Sequence, residues 1–268
     1  MTSATHMHSV PAVVKADPCA TASALPHPRL RPYVVGYSCF SSAQAVRHRV
    51  LPLNLVVLIV DLSGASRLVT GPRTVATTEG ETTWWHGVSI GLTPAGVLAL
   101  LGVPMPELVE GSVRLADVLG SRREAELAER LAAAPGWADR FAVLDDELCR
   151  WLPAEPHHDR LLLRAWHRLQ QPTGRMRVAD IADELSVSKR YLQTRFQREI
   201  GLGPKTVARI ARFQRSVFLL AQHESLLTIA SDCGYADQAH FQRDVRAMAG
   251  LTPTKLCAFL QYREFAVR

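Results

Sequence analysis

The sequence predicts an α+β protein. Its N-terminal side is expected to form a small antiparallel β domain with helices. Its C-terminal side is expected to be all-α, with two helix-turn-helix units joined by a linker helix. Three observations support this class: short β-favouring runs separated by Gly, Pro and Ser over residues 28–100, helical spacing of apolar residues after residue 156, and one helix-turn-helix pattern that occurs twice about 49 residues apart.

The chain of 268 residues is expected to divide into four parts. Residues 1–27 are small, polar and interrupted by prolines, which predicts a flexible N-terminal segment. Residues 28–152 are expected to form a regulatory, sensor or dimerisation domain. A proline-flanked linker over residues 153–159 then leads to a helical domain over residues 160–262.

The first domain is expected to begin with strands and to end with helices. Strands are predicted over residues 33–40, 46–61, 66–70 and 82–92, where β-branched and aromatic residues are frequent. Helices are predicted over residues 95–101, 121–134 and 141–152, because proline precedes the first and apolar residues recur at helical spacing in the last.

The first helix-turn-helix unit is expected to begin with a short helix over residues 178–185. Ser186 and Val187 form the predicted turn, and Ser188 is the predicted N-cap of the second helix. A serine suits this position because its hydroxyl accepts a hydrogen bond from an otherwise unpaired backbone N–H.

The second helix of this unit has one apolar face and one polar face. Leu192, Phe196 and Ile200 recur every four residues and are expected to face the core. The polar face carries side chains whose geometry suits base edges and phosphates, namely Lys189, Arg190, Gln193, Thr194 and Gln197.

The second unit repeats this pattern, at an offset of 48 residues before the turn and 49 after it. Gly234 is expected in the turn, and Asp237 is the predicted N-cap, where a carboxylate also suits the helix dipole. Phe241 and Val245 are expected to be buried. The outward positions carry Gln238, His240, Gln242 and Arg243.

The two units are expected to read neighbouring stretches of DNA, and Ser188 and Asp237 are expected to contact it together with the outward side chains. Residues 204–222 between them predict a rigid helix, and adjacent major grooves on one face of DNA lie about 34 Å apart. Residues 157–268 carry a net charge of +8, whereas residues 1–156 carry −2. The positive charge is thus confined to the part with the repeat, as expected if only that part contacts a polyphosphate.

The repeat resembles the AraC/XylS family of bacterial transcription regulators over about residues 161–259. The resemblance rests mainly on Ala230-x-x-x-Gly234-Tyr235-x-Asp237-x-Ala239-x-Phe241-x-Arg243, followed by Gly250-x-Thr252-Pro253. It implies that residues 188–200 and 237–249 are two recognition helices. The implied base contacts come from Lys189, Arg190, Gln193 and Thr194, and from Gln238, His240 and Arg243.

Three positions depart from the pattern of this family, and one of them is Val245, which stands where the family usually has an aromatic residue. Ser186 stands in a turn that often has glycine, and Asp244 is expected beside the DNA face, where phosphate would repel its carboxylate unless it pairs with Arg243 or accepts from a cytosine.

The partners implied by the resemblance are double-stranded DNA, RNA polymerase, a small-molecule effector and a second copy of the chain, with no cofactor.

The longest apolar run, residues 55–60, is too short to cross a membrane, and the N-terminus lacks the pattern of a secretion signal. The five cysteines include no C-x-x-C pair, which favours a reducing compartment. We therefore expect a cytoplasmic protein that acts on the nucleoid.

Two other classes of function remain open from the sequence. One is an enzyme with a DNA-targeting module, and the other is an architectural DNA binder whose N-terminal domain only dimerises. Gly87-x-Ser89-x-Gly91 matches the nucleophile-elbow pattern, which requires a helix directly after the serine, but Thr93-Pro94 follows. No Cys or carboxylate stands at ligand spacing from His6 and His8 or from His157 and His158. We therefore predict neither a catalytic residue nor a metal site.

Overall fold

The computed structural model describes residues 6–13, 19–64, 66–80, 82–154, 159–171, 177–260 and 263–265. The predicted α+β class is confirmed: strands and short helices make up the N-terminal part (residues 6–154), and helices make up the helical part (residues 159–260). His157 and His158 lie outside the described residues, as does most of the expected linker.

The described strands form a sheet in the order β7-β5-β4-β6-β3-β2-β8, and β1 pairs with β3; β8 follows the helical part in the chain, and the other strands belong to the N-terminal part. The strands are β1 (Ser9–Pro11), β2 (Cys19–Ala24), β3 (Val34–Val50), β4 (Val56–Asp61), β5 (Arg67–Thr70), β6 (Thr83–Leu92), β7 (Ser112–Arg114) and β8 (Arg263–Phe265). The neighbours are antiparallel except β2 and β8, which are parallel.

The longest strand, β3, shows why the sequence pattern placed the strand ends inexactly. Its pairing with β6 shifts register between Ser41 and Val46, so one bent strand spans two predicted runs. The predicted run over residues 46–61 is divided instead at residues 51–55, between β3 and β4. All six residues of β4 are buried, as expected for a central strand that is covered on both faces.

The prediction of a flexible segment over residues 1–27 is wrong for its described strands. Ser9–Pro11 pairs with the end of β3, and Cys19–Ala24 pairs with its beginning. Small residues such as Ala20 and Ala22 have weak β propensity, so local composition gave no sign of a strand here. The partner strand β3, distant in sequence, supplies the pairing.

The helices of the N-terminal part follow the sheet. They are α1 (Pro94–Gly96), continued by a π-helical turn (Val97–Leu101), a 3-10 turn (Met105–Leu108), α2 (Leu115–Leu119), α3 (Ser121–Ala133) and α4 (Trp137–Trp151); another 3-10 turn (Pro28–Leu30) precedes β3.

The helical part contains seven described helices. They are α5 (Arg160–Leu169), α6 (Val178–Glu184), α7 (Lys189–Glu199), α8 (Pro204–Ala221), α9 (Leu226–Asp232), α10 (Gln238–Ala249) and α11 (Pro253–Leu260). The long helix α8 buries the apolar stripe that the sequence predicts, including Val207, Phe213 and Val217. It therefore joins the two units as a packed element rather than as an exposed connector.

Helix α8 also joins the helical part to the N-terminal part. The buried side chain of Gln214 accepts a hydrogen bond from the N–H of Met7 (2.7 Å) and donates to the carbonyls of Met7 (3.0 Å) and Pro52 (2.6 Å). The Nδ2 of Asn54 donates to the carbonyl of Val207 (3.3 Å). The two parts thus share a continuous hydrophobic core with buried polar contacts across it.

Candidate nucleic-acid interface

The two helix-turn-helix units have the same turn geometry. In the first, the N–H of Ser186 donates to the carbonyl of Asp183 (3.0 Å), and the N–H of Val187 donates to that of Ala182 (2.9 Å). In the second, the corresponding bonds run from Gly234 to Ser231 (3.1 Å) and from Tyr235 to Ala230 (2.9 Å). The repeat in the sequence is therefore a repeat in hydrogen bonding.

The residue at the sharpest point of each turn has a left-handed backbone conformation. Its φ is 54° at Ser186 and 72° at Gly234. Glycine adopts this region without steric cost, whereas an L-residue with a Cβ is disfavoured there by roughly 1–2 kcal/mol. The backbone of Ser186 in the first turn is therefore strained, and the packing of the rest of the unit must offset the free-energy cost of this strain.

Replacing Ser186 with Gly is expected to stabilise the chain by up to about 1 kcal/mol, because the relief of strain exceeds the greater entropy of glycine in the unfolded state. The reciprocal change, Gly234→Ser, should destabilise it by a similar amount. Urea unfolding of the two variants and the parent protein measures both effects. A lower unfolding midpoint for Ser186→Gly would contradict this account of the turn.

Ser188 and Asp237 cap the recognition helices. The Oγ of Ser188 accepts a hydrogen bond from the N–H of Tyr191 (3.0 Å), and the Oδ1 of Asp237 accepts from that of His240 (2.6 Å). Their N-cap role, expected from the sequence, is confirmed. Both lie at the helix end that the DNA-binding prediction places towards the groove, and the Ser188 hydroxyl can still donate there.

The predicted DNA-contacting face of α7 is exposed. Lys189, Arg190 and Thr194 point outward, and neither cation forms an ion pair with another described residue. Gln193 lies against the backbone of Gly203, and Gln197 donates to the carbonyl of Gly201 (3.0 Å). The two glutamines therefore also hold the chain that leaves the helix.

The second recognition helix, α10, presents Gln238, Gln242 and Arg243 to solvent. His240 is half-buried; its Nδ1 accepts from the N–H of Ala236 (3.4 Å), and its ring lies edge-on to Tyr235 with centroids 5.3 Å apart. Because Nδ1 accepts, the proton of the neutral ring lies on Nε2, which is then a donor. His240 is thus held in one orientation beside the exposed residues.

A basic groove of about 690 Å³ lies between α6, the start of α7 and α8. Its cationic lining residues are Arg177, Lys189, Arg190, Lys205, Arg209 and Arg212. Four of them were not predicted as site residues. The spacing of Lys205, Arg209 and Arg212 on α8, which places them on one face of a helix, was the signal in the sequence that could have identified them.

The expectation that Asp244 lies beside the DNA face is wrong. Asp244 is only 7% exposed, and its carboxylate accepts from Arg209 (2.7 Å) and lies 3.6 Å from Arg212. The guanidinium of Arg212 also lies over the ring of Tyr235, 4.6 Å from its centroid. These contacts bind the second recognition helix to α8 and neutralise the carboxylate within the protein.

The N-terminal part contacts the C-terminal ends of both recognition helices. After α7, a Cβ added at Gly201 would lie 2.6 Å from the Cγ2 of Val109, so the two chains approach closely. At the end of α10, the N–H of Ala76 donates to the carbonyl of Met248 (2.7 Å), and Arg49 donates to that of Ala249 (3.4 Å). The N-terminal part thus contacts the equivalent end of each helix, through the segment after its 3-10 turn in one case and through β3 and the β5–β6 connection in the other.

Ser89, Trp84 and Trp85, which could suggest catalysis or ligand binding from their sequence, lie within strand β6. Ser89 lies within strand β6, and its segment does not turn into a helix directly after it, as a nucleophile elbow would. Trp84 is buried and stacks on His48, with centroids 4.5 Å apart, whereas Trp85 is half-buried. Within the described ranges, no group of three or more His, Cys, Asp or Glu side chains could hold a metal ion.

None of the described helices has both the length and the apolar character that a membrane span requires.

Comparison with known proteins supports the assignment of the helical part. Residues 181–258 match the family model described as a helix-turn-helix domain, which confirms the prediction of helix-turn-helix units in this region. An 88-residue segment is 32% identical to an uncharacterized HTH-type transcriptional regulator of Haemophilus influenzae. That match covers 32% of this chain and only 30% of the relative.

Two solved structures align with parts of the chain at low identity. A DNA-binding transcriptional dual regulator of Escherichia coli K-12 matches with 23% identity and a TM-score of 0.36, over 41% of this chain and 100% of its own. ToxT of Vibrio cholerae matches with 14% identity and a TM-score of 0.46, over 91% of this chain and 99% of its own.

Proposed function

We propose that this chain, whose residues 181–258 match a helix-turn-helix domain, is a sequence-specific DNA-binding transcription regulator of the AraC type. The observation that carries the proposal is the presence of two units with the same turn geometry on one chain. Each unit presents an exposed recognition helix, with Arg190 in the first and Arg243 in the second.

The pairing of the arginines supports the assignment of the DNA-contacting surface. Arg195, Arg209 and Arg212 form ion pairs with carboxylates of the protein. Arg190 and Arg243 have no such partner among the described residues, and an exposed guanidinium suits the O6 and N7 acceptors of guanine. Lys189 and Lys205, in the basic groove, suit phosphates.

The two recognition helices carry different exposed side chains, so one chain should recognise two unlike half-sites rather than a palindrome. Selection of bound sequences from a random DNA pool with the full-length protein tests this. A two-part asymmetric motif, its parts separated by about one helical turn of DNA, is expected. No enriched motif would exclude a sequence-specific regulator and favour an architectural binder.

Replacing Arg190 or Arg243 with Ala is expected to weaken binding to the selected site by about 1–3 kcal/mol and to relax specificity at one position. Lys205→Ala should instead weaken binding to all DNA sequences alike. It should also reduce the slope of the logarithm of the binding constant against the logarithm of the salt concentration by about 1. Fluorescence anisotropy over a range of salt concentrations measures both effects. Arg122→Ala is the matched control, since its side chain is 92% exposed on α3, in the N-terminal part. Unchanged specific binding in both arginine variants would contradict the assigned surface.

We further propose that the N-terminal part controls the relative position of the two recognition helices. Its contacts at Gly201, Met248 and Ala249 lie at equivalent ends of the two helices, so a relative shift of the contacting N-terminal segments would change the relative position of the helices. Such control requires an effector or a second copy of the chain that binds two arrangements with different affinity. In this proposal the chain is a regulator and not an enzyme, and RNA polymerase is a further partner.

We place this activity in the cytoplasm, on the nucleoid. The five cysteines include no C-x-x-C pair, which suits a reducing compartment, and the proposed target is chromosomal DNA.

A further inference from the structure

The connection between β5 and β6 packs against the chain that contacts the end of the first recognition helix. Its first residues, here called the bridging segment (residues 71–77), lie so close to the 3-10 turn that ends at Leu108 that a Cβ added at Gly71 would overlap the Leu108 carbonyl. The N–H of Glu110 donates to the carbonyl of Pro72 (2.8 Å). The bridging segment and residues 108–110 therefore form one packed unit.

The side chain of Glu110 attaches the bridging segment on the side of the first recognition helix. Its Oε1 accepts hydrogen bonds from the N–H of Thr74 (2.7 Å) and from the Oγ1 of the same residue (2.7 Å). Glu110 has a left-handed backbone, with a φ of 57°, which an L-residue adopts only where surrounding contacts hold it. The residue before it, Val109, is the one that contacts Gly201 after α7.

The same segment contacts the second recognition helix two residues later. The N–H of Ala76 donates to the carbonyl of Met248 (2.7 Å), in the last turn of α10. Ala76 follows Thr74 by two residues, and two residues span at most about 7 Å of extended chain. One short spacer therefore connects the contact with α7 to the contact with α10.

Backbone pairing fixes the bridging segment on both sides of this spacer. Arg73 and Leu53 exchange two hydrogen bonds (2.8 and 3.2 Å), and so do Thr77 and Val50 (2.8 and 3.0 Å). Arg73 is also buried, and its Nη2 donates to the carbonyl of Gly111 (3.2 Å). The segment is thus held as firmly as a strand, and its length cannot change unless these bonds break.

We propose that the bridging segment, held by Glu110, sets the separation of the two recognition helices and hence the spacing between the half-sites that the chain accepts. This inference rests on the proposed regulator function. Helix α8 joins the two units through the chain, and the bridging segment joins the C-terminal ends of their recognition helices through space. Because the units are connected at two places, they cannot rotate about α8 alone, and one half-site spacing is bound more tightly than its neighbours. Glu110 and Thr74 are positioning residues, since they act through the helices and do not touch DNA.

The test variant is Glu110→Gly, because glycine adopts the left-handed backbone at this position while the side chain that holds Thr74 is removed. The full-length parent protein and the variant are titrated by fluorescence anisotropy with the selected DNA, and with duplexes that carry one extra base pair between the half-sites. The extra base pair rotates one half-site by about 35° and moves it by about 3.4 Å relative to the other. The parent protein is expected to lose about tenfold in affinity on this insertion, and the variant only about twofold.

Glu107→Ala is the matched control, because Glu107 is exposed on the 3-10 turn just before Glu110 and its replacement removes the same charge. It should keep the spacing preference of the parent protein. Thr74→Val removes one of the two donors to Glu110 and should give an intermediate preference. An insertion penalty in Glu110→Gly equal to that of the parent protein would overturn the proposal. So would equal weakening of both duplexes, which a merely structural role of Glu110 predicts.

Amide hydrogen exchange tests the connection between the two contacts without DNA. In Glu110→Gly, the Ala76 amide, which is bonded to Met248, is expected to lose protection by about tenfold together with that of Thr74. Glu107→Ala should leave both amides unchanged. If Thr74 alone loses protection, the two contacts are independent and the proposal fails.

The two experiments separate this proposal from the regulator function. If the parent protein selects a DNA motif but Glu110→Gly keeps its spacing preference, the regulator function stands and the role of the bridging segment fails. If no motif is selected but both amides lose protection together, the regulator function fails and the connection between the recognition helices stands.

Discussion

Replacing Phe196 with Ala is expected to destabilise the first helix-turn-helix unit by about 3–5 kcal/mol. Phe196 is 0% exposed in the core of the unit, and its loss leaves a cavity that the surrounding helices fill only in part. Because native proteins have a total stability of only about 5–15 kcal/mol, this loss removes a large part of it and should lower the unfolding midpoint strongly. Urea unfolding followed by circular dichroism measures the loss.

The matched control for Phe196 is Tyr191→Ala, on the same helix. Tyr191 is 42% exposed, so its replacement should change the free energy of unfolding by only about 0.5 kcal/mol. Hydrogen exchange then locates the effect, with loss of protection expected across α6 and α7. Equal destabilisation by both variants would contradict the assignment of Phe196 to the core of the unit.

Replacing Gln214 with Leu is expected to destabilise the junction between the N-terminal part and α8 by roughly 3–5 kcal/mol. The change keeps nearly the same volume but removes three hydrogen bonds, leaving the N–H and carbonyl of Met7 and the carbonyl of Pro52 unpaired. Each buried group without a partner costs about 1–3 kcal/mol. Limited proteolysis should then cleave the N-terminal segment faster than in the parent protein.

Gln222→Leu is the corresponding control, because Gln222 is exposed at the C-terminal end of the same helix. It should leave both the unfolding midpoint and the proteolysis rate nearly unchanged. A Gln214→Leu variant that behaved like Gln222→Leu would show that the hydrogen bonds to the N-terminal segment do not hold the junction.

The elements that the sequence predicted best are those with local signals. Helix α7 begins at a serine cap and carries Leu192 and Phe196 at helical spacing, and both its start and its buried face are as predicted. The second unit follows from the same pattern. In contrast, β1 and β2 contain little that favours a strand, and their pairing depends on β3, which is distant in sequence.

In the candidate site, too, the sequence predicted the features that depend on local spacing and missed those that depend on distant partners. The spacing of the repeat predicted Arg190 and Arg243 on outward faces, and both are exposed. Asp244 was expected to face DNA because its neighbour Arg243 does, but a helix turns by about 100° per residue, and this turn directs Asp244 to the arginines of α8. Its environment depends on a partner 35 residues away, which no local pattern contains.

The sequence alone thus determined the two helix-turn-helix units, because caps, turns and apolar spacing act within a few residues of one another. The tertiary structure decided which polar residues are available for DNA, because Arg209 and Arg212 are occupied by Asp244 only once α8 and α10 pack together. It also decided the junction at Gln214, since this junction requires parts of the chain that meet only in the folded protein.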